Sequence, residues 1–289
     1  MSKVLDELLA LLSLEAIEKG IYRGQSQDLG FGAVFGGQVI GQALSAAKET
    51  IPEDRHVHSF HCYFLRAGDA QKPIVYDVQQ VRDGRSFHMR RVEAIQHGQS
   101  IFYMTASFQV DEEGLEHQAE MPSVPPPEEL MSELEIARKY QERIPAHIRE
   151  QITCDKPIEM KPVKFHNPLN PKPMEPVRHI WFRTNGKLPD NPIVHRYLLA
   201  YASDFNFLPT ATQPHGISFM SPRMKMASLD HAMWFHRDFR FDDWLLYSID
   251  SPSASGARGL VRGQFFTRDG KLVASTTQEG LIRLRPEKS

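Results

Sequence analysis

Two cysteines, Cys62 and Cys154, are all that the 289 residues contain, and they stand far apart. So few exclude a disulfide framework and favour a reducing compartment, here taken as the cytoplasm. An excess of charge of one sign is also missing: 34 basic against 36 acidic residues give a formal net charge of −2. Such a balance has no electrostatic footprint for a polyphosphate backbone, so no nucleic-acid partner is expected. Apolar runs approaching the roughly 20 residues of a bilayer-spanning helix are absent, and no membrane partner is expected. The N-terminal run MSKVLDELLALLSLEAIEKG carries Asp6 and Glu7 inside it. Its Leu5, Leu8, Leu9 and Leu12 recur at helical spacing, which describes an amphipathic packing helix rather than a secretory signal.

Several catalytic signatures are lacking too. There is no Gly-x-Ser-x-Gly elbow; Gly84-Arg85-Ser86-Phe87-His88 comes closest and fails at its last position. The glycines from Gly30 to Gly37 suggest a dinucleotide fingerprint, but the spacing is wrong and no apolar strand precedes them. His56, His58, His61, His231 and His236 include no pair at the helical spacing of a zinc site, and no cysteine pair supports one. Neither a metal nor a cofactor is expected.

What is present is a repeated plan. Residues 38–48 are small and apolar nearly all round and form a buried helix. Strand-like runs follow at 57–66, 73–82, 86–96 and 101–110, with turn signals at Asp83-Gly84 and His97-Gly98. A helix followed by long antiparallel strands makes an α+β unit in which the sheet wraps the helix. Residues 111–176 hold 11 of the 20 prolines. They read as a connector with one short helix over Leu130, Leu134, Ala137, Tyr140 and Ile144, because proline removes ladder donors. A second unit then has a strand at 179–184, a helix at 193–203 after Pro192, and strands at 226–237, 244–250, 257–267 and 272–282. Phe64 and Phe235, Arg66 and Arg237, and Arg91 and Arg262 recur at one offset (235 − 64 = 171). The pattern is a tandem duplication, with units at 1–110 and 177–289 joined by 111–176.

The motifs VFGGQVIGQAL, HSFHCYFLR, FYMTASFQ, YASDFNFLP, SLDHAMWFHR, LLYS, SGARG and STTQEG together resemble the type II acyl-CoA thioesterases, from the first helix almost to the C-terminus. The resemblance implies an α+β tandem (double) hotdog, each module a long helix wrapped by a curved antiparallel sheet. It implies hydrolysis of fatty acyl-CoA, medium to long chain, to free acid and CoA without a covalent intermediate. It also implies a catalytic trio that positions a water: the aspartate of YASDFNFLP is Asp204, the hydroxyl opening SLDHAMWFHR is Ser228, and the glutamine of STTQEG is Gln278. The chain is further expected to assemble as a homo-oligomer, dimer or tetramer.

Read by themselves, these residues allow plainer roles. Asp204 could form a turn before Pro209, although its aromatic surroundings should desolvate it and make it a better base. On an unbroken strand His231 lies three positions from Ser228 and faces the other side, while His236 lies roughly 26 Å away. A serine nucleophile is disfavoured, and Ser228 reads as an orienter of water. An inward Gln278 amide must find partners, since leaving one unpaired costs about 1–3 kcal/mol. The histidines read as mainly structural, with His58 and His61 near the cleft between modules. The acyl tail is expected between helix and sheet, against Phe207, Met233 and Phe235. Two other readings stand beside hydrolysis: a hotdog acyl-CoA hydratase or dehydratase, and a non-catalytic acyl-binding protein.

Overall fold

The computed structural model describes residues 2–30 and 32–286. The N-terminal helix α1 (Lys3–Leu12) buries Leu5, Leu8 and Leu12, as its spacing requires. Helix α2 (Gly36–Lys48) is buried without a break from Gly37 to Ala47. Small residues permit this by letting backbone approach on every side. Its two buried amides are satisfied: Gln42 donates to Leu11 O and Gln25 O at 2.6 and 2.9 Å and accepts from the Tyr76 hydroxyl at 2.7 Å.

The first unit's strands are β1 (Glu15–Glu18), β2 (Ile21–Gly24), β3 (Arg55–Phe64), β4 (Ile74–Asp83), β5 (Phe87–Gln96) and β6 (Gln99–Val110). The two short ones, β1 and β2, carry no alternating pattern; they form because β2 pairs with β4 at the edge of the sheet. Residues 111–176 contain more than the one helix anticipated. Helices α3 (Glu133–Lys139) and α4 (Ala146–Thr153) are followed by strand β7 (Ile158–Pro162). β7 pairs only with β8 (Val177–Thr184), so its terminal Pro162 sits where an edge strand tolerates a missing donor. Helix α5 (Pro192–Ala202) and strands β9 (Met224–Ser228), β10 (Asp230–Phe235), β11 (Leu245–Ser255), β12 (Arg258–Thr267) and β13 (Leu272–Leu284) complete the second unit.

All strands join one antiparallel sheet in the order β1-β2-β4-β5-β6-β3-β10-β13-β12-β11-β8-β7, with β9 also on β13. The two halves meet at the β3–β10 ladder. There Ala232 faces His61 (232 − 61 = 171), while Tyr63 faces Asp230 and Ser59 faces Trp234. This ladder is symmetric about one pair, so the duplication is related by a pseudo-twofold axis through it.

The offset is not uniform. Arg91 pairs with Thr105 and Arg262 with Thr277, so the last strand is displaced by one more residue (277 − 105 = 172). The ladder between β12 and β13 is one residue out of step with that between β5 and β6. The first-unit counterpart of Gln278 is therefore Ala106, not Ser107 as a constant offset implies. A second irregularity sits at Leu229. Ser228 faces Gly280 but Ala232 faces Thr277, leaving one residue too many on the β9–β10 side. This bulge divides what the sequence pattern joins as one strand, and its twin is the register shift between Val57 and Ser59 in β3.

The helices α2 and α5 run antiparallel in direct contact at the core. A Cβ on Gly37 would lie 2.2 Å from Tyr201 O. Gly37→Ala should thus overpack the helix pair and lower stability by about 1–3 kcal/mol, read as a lower midpoint of thermal unfolding.

Candidate active site

Asp204 is held where the two units touch. Asn191 caps the start of α5 by accepting from the Ile193 N–H at 3.1 Å, and Pro192 takes the first helical position. The helix ends at Ala202, Asp204 follows, and Asn206 in the left-handed region (φ 60) turns the chain into the 3-10 segment Leu208–His215. The Asp204 carboxylate accepts from the Gly37 N–H at 3.0 Å, in the first turn of α2 of the other unit. A Cβ on Gly36 would lie 2.7 Å from Asp204 Oδ2 and 3.0 Å from the Phe64 ring, so glycine is what lets the helix end meet the carboxylate. Burial pushes the carboxyl up to about 6, against the lowering effect of the Gly37 N–H and the Gln278 amide. Desolvation outweighs both favourable contacts.

Ser228 closes β9 and Gln278 lies on β13. The Gln278 amide donates to Ser228 Oγ at 2.5 Å. Its carbonyl oxygen is 3.0 Å from His231 Nδ1, and His231 Nε2 is 3.0 Å from Ser203 Oγ. Gln278 and His231 are fully buried, whereas Asp204 and Ser228 keep partial access. The fold thus brings Asp204, Ser228 and Gln278 together and adds a histidine that sequence reasoning set aside. The period-2 argument failed because the Leu229 bulge resets the alternation, so Ser228 and His231 both reach Gln278. A serine nucleophile still lacks its base, since the His231 nitrogens face Gln278 and Ser203 rather than Ser228.

The other histidines lie elsewhere. His58 bonds Ser107 at 2.8 Å, His236 bonds Ser275 at 2.9 Å, and exposed His61 stands edge-on to Trp234. Among the described residues no group of three His, Cys, Asp or Glu side chains could hold a metal ion. Cys62 and Cys154 are free thiols. No helix of the described residues is long and apolar enough to cross a membrane.

Two family models match the chain: an acyl-CoA thioesterase model over residues 148–281 and an acyl-CoA thioesterase N-terminal domain over residues 25–109. Acyl-CoA thioesterase 2 of Haemophilus influenzae is 47% identical over 283 residues, 98% of this chain and 99% of that protein. The chain belongs to the acyl-CoA thioesterase family. A crystal structure of an acyl-CoA thioesterase II from Mycobacterium marinum shares 41% identity at a TM-score of 0.77, covering 97% of this chain and 99% of that one. A hot dog fold protein from Alicyclobacillus acidocaldarius, 18% identical, superposes at a TM-score of 0.78 over 99% of this chain and 100% of that one, a likeness of fold alone. The thioesterase is thus an α+β double hotdog.

One expectation about this thioesterase fails. Phe207 and Met233 have no exposed surface and Phe235 has 7%, so they are packed core rather than the lining of a tunnel. Phe207 stands 5.6 Å from the His231 ring and 5.5 Å from that of Tyr247. The space lies on the far side of the Leu208–His215 segment. A cavity of about 570 Å³ is walled by α3, α4, residues 162–174 and residues 206–220, with Ile136, Ile148, Phe165 and Phe219 among its apolar lining. Asn206, two residues beyond Asp204, lines it and donates to Glu133 while accepting from Arg178, both at 3.1 Å.

The raised carboxyl gives a stability signature with a definite sign. An unfolded aspartate titrates near about 3.9, and the folded one near about 6. Ionisation therefore opposes folding: the penalty is full above the folded value and vanishes as pH falls below the unfolded one. Asp204→Asn should unfold at a higher temperature than the wild type at pH 7.5, with the gain lost by about pH 4. Thermal melts of the two proteins across that range check it.

Proposed function

We propose that the chain hydrolyses medium- to long-chain fatty acyl-CoA, with Asp204, Ser228 and Gln278 positioning and activating the attacking water. The observation that carries this reading is the Asp204 carboxylate, raised to about 6 where two structural units meet, within reach of the Gln278 amide that bonds Ser228. At neutral pH such a group is ionised yet a stronger base than an ordinary aspartate. Asp204 accepts a proton from the water as its oxygen bonds the thioester carbonyl carbon. The tetrahedral adduct then collapses, the C–S bond breaks, and the proton passes to the departing sulfur, giving free acid and CoA thiol. The Ser228 hydroxyl, held in turn by the Gln278 amide, donates to one lone pair of the water and leaves the other free to attack. The positive end of α2, whose Gly37 N–H already meets Asp204, favours negative charge developing alongside.

The cavity beyond Asn206 supports the acyl-chain part of the reading. Its volume of about 570 Å³ falls within the roughly 300–1,000 Å³ usual for ligand pockets. The same reading has residues 1–110 and 177–289 as the two modules with 111–176 between them, a homo-oligomer (dimer or tetramer), and a cytoplasmic setting.

Thiol release from saturated acyl-CoA is the deciding assay, because a hydratase or dehydratase leaves the thioester intact and a binding protein leaves it unchanged. Asp204→Asn should lose about 10² or more in turnover with the fold retained; turnover near wild type would refute the base assignment. Bulk added to the cavity wall, as in Ala137→Phe, should move the preference towards shorter acyl chains in a chain-length panel. An unaltered panel would remove the cavity from the reading.

A further inference from the structure

The trio does not hold its own geometry, because an amide can present either its oxygen or its nitrogen. A reversed Gln278 would turn its carbonyl oxygen on the Asp204 carboxylate and remove the N–H donated to Ser228. We infer that His231 is a positioning residue that fixes Gln278 with its N–H groups towards Asp204 and Ser228. This inference rests on the reading of Asp204, Ser228 and Gln278 as the water-activating trio.

The hydrogen-bond inventory selects one arrangement. The carbonyl oxygen of Gln278 only accepts, so the proton of the ring must sit on Nδ1, 3.0 Å away. Burial holds the imidazole down to about 4, so the ring is neutral and Nε2 must accept. Its partner is Ser203 Oγ at 3.0 Å, a hydroxyl whose single proton goes to Nε2 in this arrangement instead of to Ala200 O at 2.8 Å. Ser203 closes α5 one residue before Asp204, so the element that delivers the carboxylate also carries the hydroxyl that meets the ring. The ring is wedged between Phe60 at 6.0 Å and Phe207 at 5.6 Å and has no exposed surface, so it has no room to turn over. Across the pseudo-twofold axis the twin position is Phe60 (231 − 171 = 60), beside Ala106 in place of Gln278. Where there is no amide to orient, the fold places an apolar ring.

His231→Phe deletes the donor and keeps a ring that this setting accepts at its twin. His231→Asn keeps an N–H where Nδ1 was. Turnover of His231→Phe should fall roughly 10- to 100-fold, as misplacement of a reacting group does, with a smaller change in KM. The acid limb of its pH–rate profile should move upwards, because the Asp204 carboxylate loses the amide that lowers its pKa. His231→Asn should recover most of the rate. In a Gln278→Ala background His231→Phe should cost little further, since residues acting through one another are not additive. Wild-type turnover in His231→Phe would overturn the inference. So would a deficit that His231→Asn shares, or one undiminished without Gln278, since either marks a packing defect. Asp204→Asn, assayed in parallel, separates the two ideas: full activity there sinks the trio itself, whereas its loss beside an active His231→Phe sinks only the role of His231.

Discussion

The contact between the Asp204 carboxylate and the Gly37 N–H is the constraint around which the rest is arranged. A carboxylate largely withdrawn from water is costly, and the structure does not cancel that cost; it leaves the group raised to about 6 with one backbone donor and one amide as compensation. For that donor to arrive, the start of α2 must approach the end of α5 so closely that no side chain fits at Gly36 or Gly37. Close helix contact in turn requires that both helices lie in one core. The continuous sheet supplies this by joining its halves at the β3–β10 ladder. The site therefore belongs to neither unit alone: its carboxylate, hydroxyl and amide come from the second, and the helix end that receives the carboxylate comes from the first.

That dependence also accounts for the asymmetry of the duplication. Symmetry provides a second place of the same shape, but Val57 stands there for Ser228, Ala106 for Gln278 and Phe60 for His231. The neighbourhood there is packed core with one buried, hydrogen-bonded cation. Arg90, at the position of Val261 (261 − 90 = 171), is 1% exposed, pairs with Asp83 at 2.7 Å and donates to the Thr50 hydroxyl and carbonyl at the end of α2. A buried guanidinium with its donors satisfied is a structural fixture. Tyr76 and Tyr247 remain twins (247 − 76 = 171), yet Tyr76 serves Gln42 of α2 and Tyr247 serves Thr276 and Ser203 beside the site. The same ring position was kept while its polar end was assigned different work.

How much of this the sequence reveals depends on whether the information is local. The buried helix, the long strands and the repeat are legible because periodicity and small-residue composition report burial directly. Asp204, Ser228 and Gln278 stand out in the sequence only through motif resemblance, and the fold brings them within reach of one another. The errors cluster at single-residue irregularities. One additional residue at Leu229 reverses the facing expected along that strand and hides the proximity of His231 to Gln278. A one-residue difference in register between β12 and β13 moves the twin of Gln278 from Ser107 to Ala106. Neither has a signal in composition, because a bulge is decided by the partner strand. Phe207, Met233 and Phe235 mislead for a related reason: they are as apolar as a tunnel lining, and only packing distinguishes a filled core from a vacant one.

The position of the cavity has a physical consequence for how such an enzyme can vary. A space between helix and sheet would be bounded by the residues that hold each unit together, so altering its length would destabilise the fold. The observed cavity is instead walled largely by α3, α4 and the segment 162–174, which pack on the second unit's edge through β7 and β8. α3, α4 and the segment 162–174 lie apart from the α2–α5 contact and the central ladder. The polar link from Glu133 through Asn206 to Arg178 then couples that variable wall to the fixed carboxylate two residues away. On the proposed function, the division places rigidity at the Asp204 carboxylate and adaptability where the acyl chain would be accommodated.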